Sequence, residues 1–171
     1  MSNNLYYELV RAHDIAAVAN PNGSLVVAHV TYLASGNLTQ ALAAAALAQG
    51  DLHAPIEAVR DMFHSYDRML YAASILEEGG KVPGFGNSFY KDLADPAFAE
   101  VEAVLRADHA SLVGWVDELR SVHPKLPPPN AAMWTALAME AMGMERGMGP
   151  ALFISARVKA WASYLLALKP S

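Results

Sequence analysis

The sequence predicts an all-α protein, and three observations carry that reading. Apolar residues recur at helical spacing, as at Leu5, Leu9, Ala12 and Ala16. Residues that start and stop helices punctuate the chain at intervals: Gly50, Gly79-Gly80, Asp95-Pro96 and Asn130. The one run rich in β-branched residues, 25–30, has no second run to pair with and is read as helix too.

Each element can be justified in turn. Residues 5–19 form the first helix, and Asn20-Pro21-Asn22-Gly23 breaks it with a strong turn signal. Residues 24–34 form the second, ended by Ser35-Gly36-Asn37. Residues 38–48 are almost pure alanine and leucine, a small-residue surface that lets helix axes approach closely. Gly50 stops that helix, and a loop runs through 51–55. Helices over 56–63 and 67–78 follow, closed by Gly79-Gly80. The longest interruption, 81–98, reads K-V-P-G-F-G-N-S-F-Y-K-D-L-A-D-P-A-F. In it Gly84 and Gly86 let the backbone approach something bulky, Lys91 offers one positive charge, and Asp95 caps a new helix with Pro96 in its first position. Helices over 96–106 and 109–120 lead to a proline-rich connection, H-P-K-L-P-P-P-N. Asn130 caps a helix over 131–142, and Gly149-Pro150 opens the last one, 151–168. Nothing repeats and no linker is long enough to divide the chain, so 1–171 is expected to be one helical domain.

Composition narrows the function classes. The chain has 171 residues, of which 54% are hydrophobic and 17% charged. So apolar a surface favours assembly with a second copy or a larger partner. A net charge of −5 with no basic stripe speaks against nucleic acid. With no cysteine there are no disulfides and no thiolate metal sites. The start M-S-N-N-L-Y-Y-E has no basic or apolar leader pattern, and the greasiest segment, 150–168, contains Arg157 and Lys159. No membrane span and a cytoplasmic location are the expectation.

The chemistry-bearing residues are few. His13, His29, His53, His64, His109 and His123 are scattered, with no pair at i, i+4 joined by a third ligand, so no metal site is expected. Ser88 has no neighbouring base and no nucleophile-elbow motif. The five methionines between Met133 and Met148 have the spacing of deformable core or interface filler. Arg157 stands in a strongly apolar final helix, where an unpaired guanidinium is costly. It is either paired with a carboxylate on a neighbouring helix or set to bind a carboxylate ligand.

Five segments taken together resemble the citrate synthase family. Val82-Pro83-Gly84-Phe85-Gly86, running on to Asp95-Pro96, resembles its P-G-[FY]-G-H loop ending in D-P-R. Gly50-Asp51-Leu52-His53 resembles G-P-L-H-G-G, and Pro129-Asn130-Ala131-Ala132-Met133-Trp134 resembles P-N-V-D-F-Y. Phe153 to Trp161 resembles F-x-x-x-R-x-x-G-W. Asn20-Pro21-Asn22 with Ala28-His29 resembles the D-H-E segment and its helix. The order matches the family's over most of the chain. The resemblance covers about the C-terminal half of an ordinary citrate synthase, without the N-terminal helices of the large domain.

That resemblance implies roles. Family members join a coenzyme A thioester to an oxo-acid. A carboxylate base takes a proton, one histidine stabilises the enolate, another polarises the keto group, and arginines clamp carboxylates. By it His53 is the enolate-stabilising group and Arg157 a carboxylate-binding arginine. Val82, Pro83, Gly84, Phe85, Gly86 and Lys91 belong to the coenzyme A loop. Asn87 takes the place of the polarising histidine and can donate a hydrogen bond but not a proton. Pro21 replaces a substrate-binding histidine, Ala97 an arginine, and Ala132 the aspartate base. Ala54-Pro55 replaces a Gly-Gly pair. Loss of a positioned base alone removes about 10²–10⁴-fold of rate. Two expectations follow. One is a diverged enzyme binding an acyl-CoA and a carboxylate, making or breaking a carbon–carbon bond, decarboxylating or hydrolysing without that base. The other is a non-catalytic subunit that dimerises with itself or with an active citrate-synthase-like chain.

Overall fold

A computed structural model describes residues 2–19, 22–48, 55–87, 89–90 and 93–168. Among them are nine α-helices and no strand: α1 (Ser2–Ala19), α2 (Gly23–Ser35), α3 (Leu38–Leu47), α4 (Ile56–Phe63), α5 (Arg68–Glu77), α6 (Ala99–Asp108), α7 (Ala110–Val122), α8 (Ala131–Ala141) and α9 (Gly149–Ala167). The β-branched run 25–30 is helical. It lies between Asn22, whose side chain accepts from Leu25 N, and Gly36, whose left-handed conformation closes the helix. Asn37 and Asp67 cap α3 and α5 in the same way as Asn22 caps α2. The turn at Asn20-Pro21, the stop at Gly50 and the loop 51–54 lie outside the described residues. No described helix is long and apolar enough to cross a membrane.

α8 is the central element. From Ala132 to Met139 every residue is buried, which the near-absence of polar side chains in that stretch requires. α1, α4, α6, α7 and α9 pack around it. The main core gathers Leu5, Leu9, Val59, Met62, Phe98, Leu105, Leu119, Trp134, Leu137 and Phe153. A second cluster lies between α2, α3 and the end of α9, with Trp161 and Leu165 against Ala28, Ala41 and Ala45. There the alanines act as the sequence suggests, leaving no side-chain bulk between the helices. Of the five methionines, Met133 and Met139 are core residues while Met148 is exposed.

One boundary differs from expectation in the kind of helix that it opens. Pro96–Phe98 is a 3-10 turn, and α6 begins only at Ala99. Phe98 N bonds back to Asp95 O at 3.1 Å, and this i→i+3 closure tightens the first turn and drives the Phe98 ring into the core.

The two glycines of the long loop both have positive φ, +83° at Gly84 and +78° at Gly86. Their surroundings differ. A Cβ on Gly84 would lie 2.8 Å from Val59 Cγ2 and 2.9 Å from Met133 Cε, whereas one on Gly86 would sit 3.4 Å from Pro127 Cγ. Gly84→Ala should therefore cost about 2–4 kcal/mol, combining left-handed strain with overpacking. Gly86→Ala should cost only the strain, about 1–2 kcal/mol. Urea denaturation of both variants checks the difference.

Candidate functional site

The loop is fastened to the proline-rich connection by backbone pairing. Gly86 N donates to Pro128 O at 2.9 Å and Asn130 N to Gly84 O at 2.8 Å, around an antiparallel bridge between Phe85 and Pro129. Asn130 completes the joint. Its Oδ1 accepts from Ala132 N at 2.9 Å and Met133 N at 3.3 Å, capping α8, while its Nδ2 donates to Gly86 O at 2.8 Å. One side chain thus starts the central helix and fixes the glycine turn. Val82, Gly84 and Phe85 are buried in the core, and Pro83, Gly86 and Asn87 are half-exposed. The close approach that Gly84 permits is to the protein's own Val59 and Met133. Asn87 Oδ1 accepts from Phe89 N at 2.7 Å and Tyr90 N at 3.3 Å, so its carbonyl closes a turn. His53 and Lys91 lie outside the described residues, as do Pro21 and Ala54.

At the other end of the loop stands a buried polar cluster. Arg157, on α9, is 5% exposed. Its Nε donates to His13 Nδ1 at 3.1 Å, and its guanidinium lies over the Phe153 ring at 3.9 Å. His13, from α1, is completely buried between the edges of Phe98 and Phe153. Its Nε2 meets Thr135 Oγ1 at 2.9 Å, and Thr135 Oγ1 donates to Ala131 O at 2.6 Å. Asp95 accepts from Ala97 N at 3.0 Å and lies close enough to act on Arg157 electrostatically. No described carboxylate comes within ion-pair distance of the guanidinium.

Burial dominates the electrostatics of this cluster. It pushes Arg157 down to about 10, with Asp95 acting in the opposite direction. It holds His13 well below the ordinary histidine value, and the charge of Arg157 adds to the effect. It also raises Asp95, against the pull of the Ala97 hydrogen bond and of Arg157.

A second buried arginine shows what full structural pairing looks like. Arg60 Nε donates to Glu140 Oε1 at 2.6 Å, Nη1 to Glu145 O at 2.8 Å and Nη2 to Met144 O at 2.6 Å. Every nitrogen of Arg60 is bonded, and together they tie α4 to the turn after α8. Arg157, in contrast, has one hydrogen bond among the described residues, at Nε. Of the two sequence readings of Arg157, a direct pair with a helix-borne carboxylate finds no support among the described residues.

Two of the three expected chemical residues can be placed. Asn87 lies beside the glycine turn and Arg157 in the buried cluster; Asn130 and Thr135, both on or capping α8, link the two places. Ala132 occupies the first turn of α8, buried, and Ala97 follows Asp95 in the 3-10 turn. His13 and Thr135 escaped the sequence reading. The available signal was that His13 falls four residues after Leu9 on the buried side of α1, and that Thr135 is the sole polar residue within a wholly apolar stretch.

A helical fold with this loop, cap and buried arginine defines a class that comparison with known proteins identifies. The chain belongs to the citrate synthase family: the citrate synthase C-terminal domain matches residues 19–169. Among solved structures, the citrate synthase of Thermotoga maritima MSB8 is 26% identical with a TM-score of 0.77, covering 95% of this chain and 51% of its own. The citryl-CoA lyase of Hydrogenobacter thermophilus is 20% identical with a TM-score of 0.74, covering 97% and 72% respectively. The chain therefore spans about half the length of that citrate synthase. No curated protein matches the sequence significantly.

A pH dependence follows from His13. Its folded-state value lies below the unfolded one, near 6.5, so the unfolded chain takes the proton first. Its contribution to stability is complete above about 6.5 and is lost as pH falls toward the folded value, with a limiting slope of about 1.4 kcal/mol per pH unit. Asp95, raised in the fold, works in the opposite sense at lower pH. Melting temperatures between pH 7.5 and 5 should fall for the native sequence and fall less steeply for His13→Asn.

Proposed function

We propose that this chain binds a carboxylate at Arg157 and an acyl-CoA along the 82–87 loop, and that it carries out a thioester step that needs no carboxylate base. The observation that carries the reading is the state of Arg157. A guanidinium almost wholly out of water, held at Nε by a neutral imidazole and without an ion-paired carboxylate among the described residues, is a receptor for an anion. Ala132 stands at the position where the family's motif has its aspartate, and a methyl group takes no proton. A decarboxylation suits such a site. The bond to the departing carboxylate breaks, its electron pair becomes the thioester enolate, CO₂ leaves, and a proton from solvent quenches the carbanion. His53 and the Asn87 amide N–H would serve as donors to the enolate oxygen. Carbon–carbon cleavage would have to shed a hydroxyl proton and thioester hydrolysis would have to activate a water, so both ask more of a base than decarboxylation does.

A second reading, a non-catalytic subunit that pairs with itself or with an active citrate-synthase-like chain, is favoured by a different observation. α2 exposes Val26, Val27, Val30 and Leu33, with Val30 61% and Leu33 64% accessible. A helix with that much uncovered apolar surface suits a partner.

Calorimetric titration with CoA and acetyl-CoA should give saturable heats that Gly86→Trp abolishes, the variant's melting curve serving as the control for folding. Arg157→Met should weaken citrate binding about ten- to hundredfold, as expected for loss of hydrogen bonds to a charged group. Absence of heat with every CoA ligand would leave the subunit reading, and solution mass by light scattering would show whether the chain associates.

A further inference from the structure

We infer that His13 and Thr135 are positioning residues that restrict Arg157 to gripping a carboxylate through its two terminal nitrogens. The inference rests on the carboxylate reading of Arg157 and adds the geometry and the device that imposes it. His13 lies before residue 19, where the family match begins.

The hydrogen bonds determine the tautomer. Thr135 has one hydroxyl proton, and it is committed to Ala131 O at 2.6 Å. The contact of 2.9 Å between Thr135 Oγ1 and His13 Nε2 must then be donated by the ring, which places the proton on Nε2. Nδ1 is left with a lone pair, and that lone pair receives Arg157 Nε–H at 3.1 Å. The run Arg157 Nε–H to His13 to Thr135 to Ala131 O therefore has a single direction, fixed by a backbone carbonyl of α8. The opposite tautomer would set two N–H groups against each other in a buried site.

The consequence lies in what remains of the guanidinium. An arginine binds a carboxylate either through Nε and one Nη or through both Nη nitrogens. Here Nε is occupied by His13, and one face of the plane is covered by Phe153 at 3.9 Å. The four N–H bonds of the Nη pair have no partner among the described residues. The ligand group that fits is a single planar carboxylate meeting that edge symmetrically. Phe98 and Phe153 press edge-on against the imidazole at 5.1 and 5.2 Å and hold the ring in place.

The test uses the full chain, with citrate and succinate as probes at pH 7.5, in calorimetry alongside ¹⁵N spectra of the histidine rings. Thr135→Val removes the acceptor for Nε2–H at constant shape; Thr135→Ser restores it. His13→Leu removes the acceptor for Arg157, and His13→Asn places an oxygen near the Nδ1 position. Citrate affinity should fall about tenfold or more in Thr135→Val and His13→Leu and return to within about threefold in Thr135→Ser and His13→Asn, a loss of one charge-assisted hydrogen bond. His13 in the native sequence should show a protonated Nε2 and a bare Nδ1, with and without probe. Two results overturn the inference while leaving the carboxylate site intact: unchanged citrate affinity in both disruptive variants while Arg157→Met loses it, or the opposite tautomer in the spectra. Failure of the native chain to bind either probe overturns the carboxylate reading and this inference with it.

Discussion

A guanidinium leaves water only at a cost, and in this protein the way that Arg157 is received organises one end of the core. Arg157 reaches inward from α9, and α1 supplies a neutral histidine, α8 a threonine and the loop before α6 an aspartate at longer range. Three helices and a loop are thereby committed to one geometry. Misplacing any of them would strand a charged or polar group in a region of low polarity, where loss of one hydrogen bond to a charged group costs about 1.5–3 kcal/mol. The neutral state of His13 is part of the same constraint, since a protonated ring would both lose its acceptor and repel the arginine.

The two buried arginines divide their labour by how completely they are bonded. Arg60 is bonded at all three of its nitrogens, to Glu140 and two carbonyl oxygens, and Glu57, one turn before it, receives Gly149 N at 3.0 Å at the start of α9. That network closes the connection from α8 to α9 and anchors each nitrogen of the guanidinium. Arg157 is held firmly at one nitrogen and lies on an aromatic face. Rigid attachment with unspent donors is the arrangement that preorganises a site for an incoming group.

The helices were legible because their signals are local. α4 begins and ends where its apolar spacing says, and Asn130 caps the helix that the sequence assigns to it; the caps at Asn22, Asn37 and Asp67 emerge only from the structure. The 3-10 turn at Pro96 was not legible, because it depends on where Phe98 finds its core contacts. The segments carrying the resemblance led to the family and to Arg157. They could not show that Asn130 bonds Gly86 O as well as its own helix, since 44 residues separate the two. His13 was hidden for the same reason: its partner Arg157 is 144 positions away, and a lone histidine on a helix has no spacing to betray it.

The backbone pairing of 84–86 with 128–130 has a bearing on how the chain acquires its shape. Neither strand-like segment carries enough local preference to hold its conformation alone, and closure of the span between them is entropically unfavourable. The span that must close to bring the proline run back to the glycine turn contains α6 and α7. Contacts of this range slow the search for the native state. The glycine loop should thus be among the last parts to become structured, and its correct form a sign that the helical scaffold around it is already complete.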